Sequence, residues 1–193
     1  MKKGRIEAFS DGVIAIIITI MVLELKVPHN HDFAALFQLW PVFLSYVLSF
    51  IYVGIYWNNH HHMFAVVNKV NGAVLWANLH LLFWLSMIPF ATAWMGENHF
   101  AALPIALYGF VLLMNGVAYS ILTTLLIRHH GHESVLYKAV GSDFKGKLSV
   151  ACYLIAIPCA FWQVWLSAAI YTLVALIWLV PDKRIERVAT DSL

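Results

Sequence analysis

Long apolar runs broken by short polar stretches dominate the chain. About 20 apolar residues cross a bilayer as a helix, and several runs reach that length. They predict six spans. The first covers about Ile6–Lys26, the second Leu36–Trp57, the third Gly72–Met95 and the fourth Ala101–Ile127. The run Leu148–Val180 holds a fifth and a sixth if the chain turns near Phe161–Trp165, and one long tilted helix otherwise. Pro158 followed by Phe161, Trp162 and Trp165 favours the turn, because proline interrupts helices and tryptophan prefers the membrane interface. The connection Arg128–Lys147 is the longest and has room for a short amphipathic turn. With no soluble domain, low-complexity stretch or internal repeat in view, residues 1–193 read as one all-α, six-helix transmembrane domain.

Charge tests this layout. Six spans put both termini and the connections Asn58–Asn71 and Arg128–Lys147 on one side. Of the 12 lysines and arginines, all but Lys26 fall there. Positive residues favour the cytoplasm, so both termini are expected inside. Five spans would put the cluster at Asp182–Arg187 outside. The start, MKKGR and an apolar run, has the outline of a signal peptide. Glu7 and Asp11 interrupt it and no small-residue cleavage site follows, so it reads as a retained first helix.

Composition agrees. The chain is 62% hydrophobic and 11% charged, where a soluble domain carries about 25% charge. Lipid is therefore its solvent. A net charge of +2 without a basic stripe excludes a nucleic-acid partner. Cys152 and Cys159, seven apart on one helix, are separated by about 10 Å of rise and cannot form a disulfide.

The first span has a polar head, Arg5, Phe9, Ser10 and Asp11, and then an aliphatic body. With Ile16 at zero on a wheel of 100° per residue, Phe9, Gly12, Thr19, Ile20 and Leu23 fall within roughly 60° of it. Ser10 and Asp11 lie elsewhere. This stripe can line a pore, or simply pack or face lipid. Thr19, at its edge, can offer a hydroxyl to an ion or bond it back to its own backbone. Asp11 is costly at this depth without a partner, and the plain reading is an intramembrane ion pair, with Arg5 the candidate partner, or a helix-packing bond. Trp76, Asn78, His80 and Trp84 on the third span, and Tyr56 to His62 at the end of the second, lie at the level of that head. Buried amides and imidazoles need partners, so a hydrogen-bonded network joining Ser10 and Asp11 to the second and third spans is expected. At the outer end, Glu24, Asp32 and Glu97 can concentrate cations, against Lys26.

Arg5, Phe9, Ser10 and Asp11 form R-x-x-x-F-S-D. This signature resembles that of the transmembrane protein 175 family of potassium channels, and the chain looks like a bacterial member. The resemblance implies passive K⁺ conduction through a homotetramer in the bacterial inner membrane, with the first helix around a central pore. It implies aliphatic rings in place of a carbonyl filter; no T-V-G-Y-G loop is present. The family's first pore-facing aliphatic position, five residues after the aspartate, is Ile16. The next fall at Ile20 and Leu23, with Thr19 beside them as the selectivity candidate. Arg5, Phe9, Ser10 and Asp11, with Asn78 and His80, are implied to fix that helix to its neighbours. K⁺ is the permeant ion, lipid the surroundings, and no cofactor is expected.

Two rivals remain at this stage. One is a proton-conducting or proton-coupled transport protein using Asp11 and buried histidines. The other is a metal-dependent membrane enzyme. The 10 histidines invite it, but neither an H-x-x-H-H nor an H-x-x-x-H box occurs, and no metal site is expected. No G-x-S-x-G or Gly-rich phosphate loop is present either, so no catalytic residues and no enzyme are expected.

Overall fold

The computed structural model describes residues 3–131, 133–141 and 143–179. Lys2, His132 and the basic cluster at Asp182–Arg187 lie outside the described residues. The first span is α1 (Gly4–Leu23). A short α2 (Phe33–Gln38) precedes α3 (Trp40–Ala65), and the third span is divided into α4 (Gly72–Ser86) and α5 (Ile88–Glu97). Then come α6 (Ala102–His130), a short α7 (Val135–Val140), α8 (Phe144–Cys159) and α9 (Val164–Leu179). Four stretches are long and apolar enough to cross a membrane: α1, α3, α4 with α5, and α6. α8 and α9, 16 residues each, form the final hairpin. The chain turns between them at Ala160–Gln163, so the single tilted helix is excluded.

Three boundaries differ from the hydropathy reading. Residues 33–38 form a separate helix because Asp32 caps it, its carboxylate accepting from the Ala35 N–H at 2.8 Å. Pro41 then starts α3, where a missing N–H costs nothing. α3 continues past Trp57 to Ala65, so His60 to His62 are helical. The third span breaks at Met87, because Pro89 has no N–H for the Leu85 carbonyl. Beside the break, Asn115 of α6 donates its amide to the neighbouring Trp84 carbonyl at 3.2 Å.

α6 packs against α4, α5, α8 and α9, while α1 packs on α3, α4 and α5. The interior between α3, α6, α8 and α9 is built of tyrosines with partnered hydroxyls. Tyr52 donates to the Tyr171 carbonyl at 2.6 Å, Tyr153 donates to Tyr52 at 3.3 Å, and Tyr108 shares a bond of 3.0 Å with Ser49. Of the two α6 glycines, only Gly109 permits a close approach: a Cβ there would run into the Tyr171 hydroxyl. At Gly116 it would meet only Val150, at 3.8 Å.

Candidate pore helix and its supports

α1 has two unlike faces. Ile6, Ser10, Ile14, Ile17 and Met21 are buried against the rest of the chain. Their spacing of three and four residues is that of one helix face. Opposite them, Ile16 is 59% exposed, Ile20 43% and Leu23 79%. Phe9 continues this face toward the polar head at 54%. Asp11 and Val22, which lie off the stripe on the wheel, are exposed as well, so the bare face is wider than the stripe.

Thr19 is exposed beside this stripe. Its hydroxyl donates to its own helix, 2.8 Å from the Ala15 carbonyl and 2.9 Å from that of Ile16. This is the backbone-bonded alternative; with its proton held there, the oxygen keeps only its lone pairs.

The polar head is held at its base by three residues from three helices. Asn78 of α4 donates its amide to the Ser10 hydroxyl at 2.9 Å, and its carbonyl oxygen lies 2.8 Å from His60 Nε2 of α3. All three are buried, at 1% exposure or less. Since the Asn78 oxygen can only accept, His60 carries its proton on Nε2. Trp57, also on α3, donates its indole N–H to Asp11 at 3.0 Å. That contact is exposed, so Asp11 is not buried within the chain, and its partner is Trp57 and not Arg5. Arg5 is exposed, and the ion pairs among the described residues do not include it. His80 stands apart from the Ser10 group. It accepts from Trp84, one turn further along α4, at 3.0 Å.

Two further ties were not legible from composition. At the inner end, Lys3 donates to the carbonyls of Phe64 and Ala65 at 2.6 and 3.1 Å, where α3 leaves its last carbonyls free. At the outer end, Lys26 meets Glu97 at 2.6 Å. The Glu97 carboxylate raises the Lys26 ammonium above the usual lysine range. The tie is therefore intact at neutral pH and is lost as pH rises through that raised value. Of the three carboxylates expected to gather cations, Glu97 is thus paired with Lys26, and Asp32 caps α2 with its charge retained. Among the described residues no group of three or more histidines, cysteines or carboxylates is gathered in metal-binding geometry.

Comparison with known proteins bears on this geometry. Residues 5–89, which carry the polar head and both of its supporting helices, match the family described as "Endosomal/lysosomal potassium channel TMEM175". A potassium channel of Chryseobacterium sp. (strain P1-3) is 58% identical over 187 residues, 97% of each chain. The crystal structure of a lysosomal potassium-selective channel TMEM175 homolog from Chamaesiphon minutus superposes with a TM-score of 0.81 at 30% identity, covering 93% of this chain and 97% of that one. The human endosomal/lysosomal proton channel TMEM175 is 37% identical over 103 residues, 47% of this chain and 20% of that protein. The R-x-x-x-F-S-D head on a helix with one buried and one bare face, in a multi-pass all-α chain, has a settled kinship: the chain belongs to the TMEM175 family of potassium channels.

Proposed function

We propose that the chain conducts K⁺ passively as a homotetramer, with four copies of α1 around a central axis. The observation that carries this reading is the division of α1. Its buried face is satisfied within the chain, and the aliphatic stripe of Ile16, Ile20 and Leu23 has no cover there. Four such stripes meeting on an axis both cover themselves and make a constriction. An open groove beside α1, lined by Ile16, Ile20, Phe90 and Ala93, offers a seat for the neighbouring copy. Residues 1–193 act as one channel unit, and the distribution of lysine and arginine favours a cell membrane location with both termini in the cytoplasm.

Conduction follows from the ring chemistry. A ring of isoleucines is too apolar for hydrated ions and gates by dewetting, so a small outward movement of α1 wets it. The Thr19 oxygens, their protons held by the backbone, replace part of the hydration shell of a passing K⁺. Arg5, Phe9, Ser10 and Asp11 set the angle of α1, with Asn78 on the Ser10 side and Trp57 on the Asp11 side. Arg5 and Phe9, exposed in the single chain, serve contacts between copies. His80 stiffens α4 behind the head.

The test is K⁺-driven flux into proteoliposomes, with Ile16→Asn beside the parent. Assembly should be unchanged and leak should rise in the variant. An equal leak from both would remove Ile16 from the constriction, and no flux from either, with insertion verified, would sink the channel reading.

A second reading, proton conduction, is favoured by the name of the human relative. A reversal potential following the proton gradient would select it, and one following the K⁺ gradient would reject it.

A further inference from the structure

The last turn of α6 carries Arg128, His129 and His130, which lie apart from the pore helix and its supports. Both imidazoles face the connection between α3 and α4. The Asn71 side chain caps α4, its oxygen accepting from the Val74 N–H at 3.0 Å. That leaves its amide NH₂ free, and this lies 3.2 Å from His129 Nδ1. An amide nitrogen can only donate, so His129 Nδ1 must be a bare lone pair. His130 Nδ1 lies 2.9 Å from the Leu126 carbonyl, which can only accept, so this nitrogen bears the proton. His130 Nε2 is therefore the acceptor for the Asn68 N–H, at 3.4 Å. Each histidine is committed to the neutral form, in opposite tautomers.

A proton added to either ring would put N–H against N–H. The added charge would also gain a competing attraction, because the C-terminus of a helix favours cations and leaves carbonyls unpaired. The surroundings have the same sign. Lys69 lies on the connection, Arg128 on α6 itself, and His61, His62 and Lys3 at the neighbouring ends of α3 and α1. The nearby carboxylates are engaged, Glu7 with Lys3 at 3.8 Å and Glu133 with Lys138 at 3.5 Å.

We propose that His129 and His130 are positioning residues that latch the α3–α4 connection, and with it the capped start of α4, to the end of α6, and that acid releases the latch. The chain of consequence is short. Asn71 starts α4, α4 carries Asn78, and Asn78 holds Ser10 of the pore helix. Release loosens the Asn78–Ser10 tie, α1 loses that support, and conduction falls. This rests on the channel reading above, but its first test does not.

That first test is ¹⁵N NMR of imidazole-labelled protein in nanodiscs. Above pH 7.5, His130 is expected as the Nδ1–H tautomer and His129 as the Nε2–H tautomer. The Nε2–H form at His130 would overturn the proposal whether or not the protein conducts. The second test is K⁺ flux with the same pH on both sides of the membrane. Between pH 8 and 5.5 the parent should lose flux by at least about fivefold, the lower end of ordinary coupling between sites. In His129→Asn/His130→Gln the amide oxygens stand where Nδ1 and Nε2 stood and accept the same bonds without titrating, so flux should match the parent at pH 8 and hold at pH 5.5. A flat parent profile, or an undiminished fall in the amide variant, would overturn the latch. If the variant does not fold, the tautomers of the parent decide. Absence of flux at every pH with the expected tautomers would count against the channel reading alone.

Discussion

Asn78 commits both ends of its amide, one to Ser10 and one to His60, in a site closed to water. Asn78→Leu would leave His60 and Ser10 buried without partners, at a cost of about 1–3 kcal/mol. The expected outcome is a lower melting temperature in detergent and a larger loss of assembled protein than of permeation per assembled channel. Thr19→Val keeps the shape and removes the oxygen. It should leave assembly intact and lower the K⁺/Na⁺ ratio read from reversal potentials; an unchanged ratio would take Thr19 out of selectivity. Ser10 and Asn78 were legible in the sequence because polar groups at membrane depth need partners. His60 was not singled out, since His60, His61 and His62 look alike in a string. A helix turns about 100° per residue, so only one of three successive side chains can face inward. The helix register that selects His60 depends on α3 continuing to Ala65, which the drop in hydropathy after Trp57 concealed. The partner of Asp11 was concealed differently. Charge alone pointed to Arg5, but α1 turns Arg5 away, and the indole of Trp57 reaches across from α3.

Helix contacts give a sharper prediction at the glycines of α6. Gly109→Ala would force a methyl group into the buried Tyr171, which is hemmed in by Tyr108 and Tyr153. Overpacking of this kind costs about 1–3 kcal/mol. Gly116→Ala meets only Val150, at an ordinary contact distance, and, inside a helix, should be neutral or slightly stabilising. Thermal melting of the two variants separates them, and equal melting would deny that the α6–α9 approach depends on Gly109. In the sequence the two glycines were equivalent, because what distinguishes them belongs to α9, some 60 positions away. The order and number of the spanning helices were legible, since apolar length is set by the bilayer. The break at Met87 was signalled only by Pro89, inside a run whose hydropathy never falters.

At the scale of the whole molecule, composition and the length of the apolar runs were enough to say that lipid is the solvent. They could not say how copies meet, because in a membrane an exposed apolar face is ordinary. If the stripe on α1 is the meeting face, native mass spectrometry from detergent should give a tetramer for the parent, and for Arg5→Ala a shift toward smaller species. A monomer from the parent under conditions that preserve other tetramers would contradict the assembly. The shape of the single chain carries one more consequence. α8 spans 16 residues, about 24 Å at 1.5 Å each, and its first turn holds Lys145 and Lys147. α6, with 29 residues, is about 44 Å long. The hydrocarbon layer is about 30 Å thick. Lipid tails along the α8 edge must therefore shorten or splay to meet a low rim, while those at α6 face a wall taller than themselves. Each ångström of such mismatch costs a fraction of a kcal/mol, and in a tetramer the rim recurs four times. Acyl chain length thereby enters the conformational balance of the channel as a mechanical variable, and thinner bilayers favour whichever state has the lowest α8 edge.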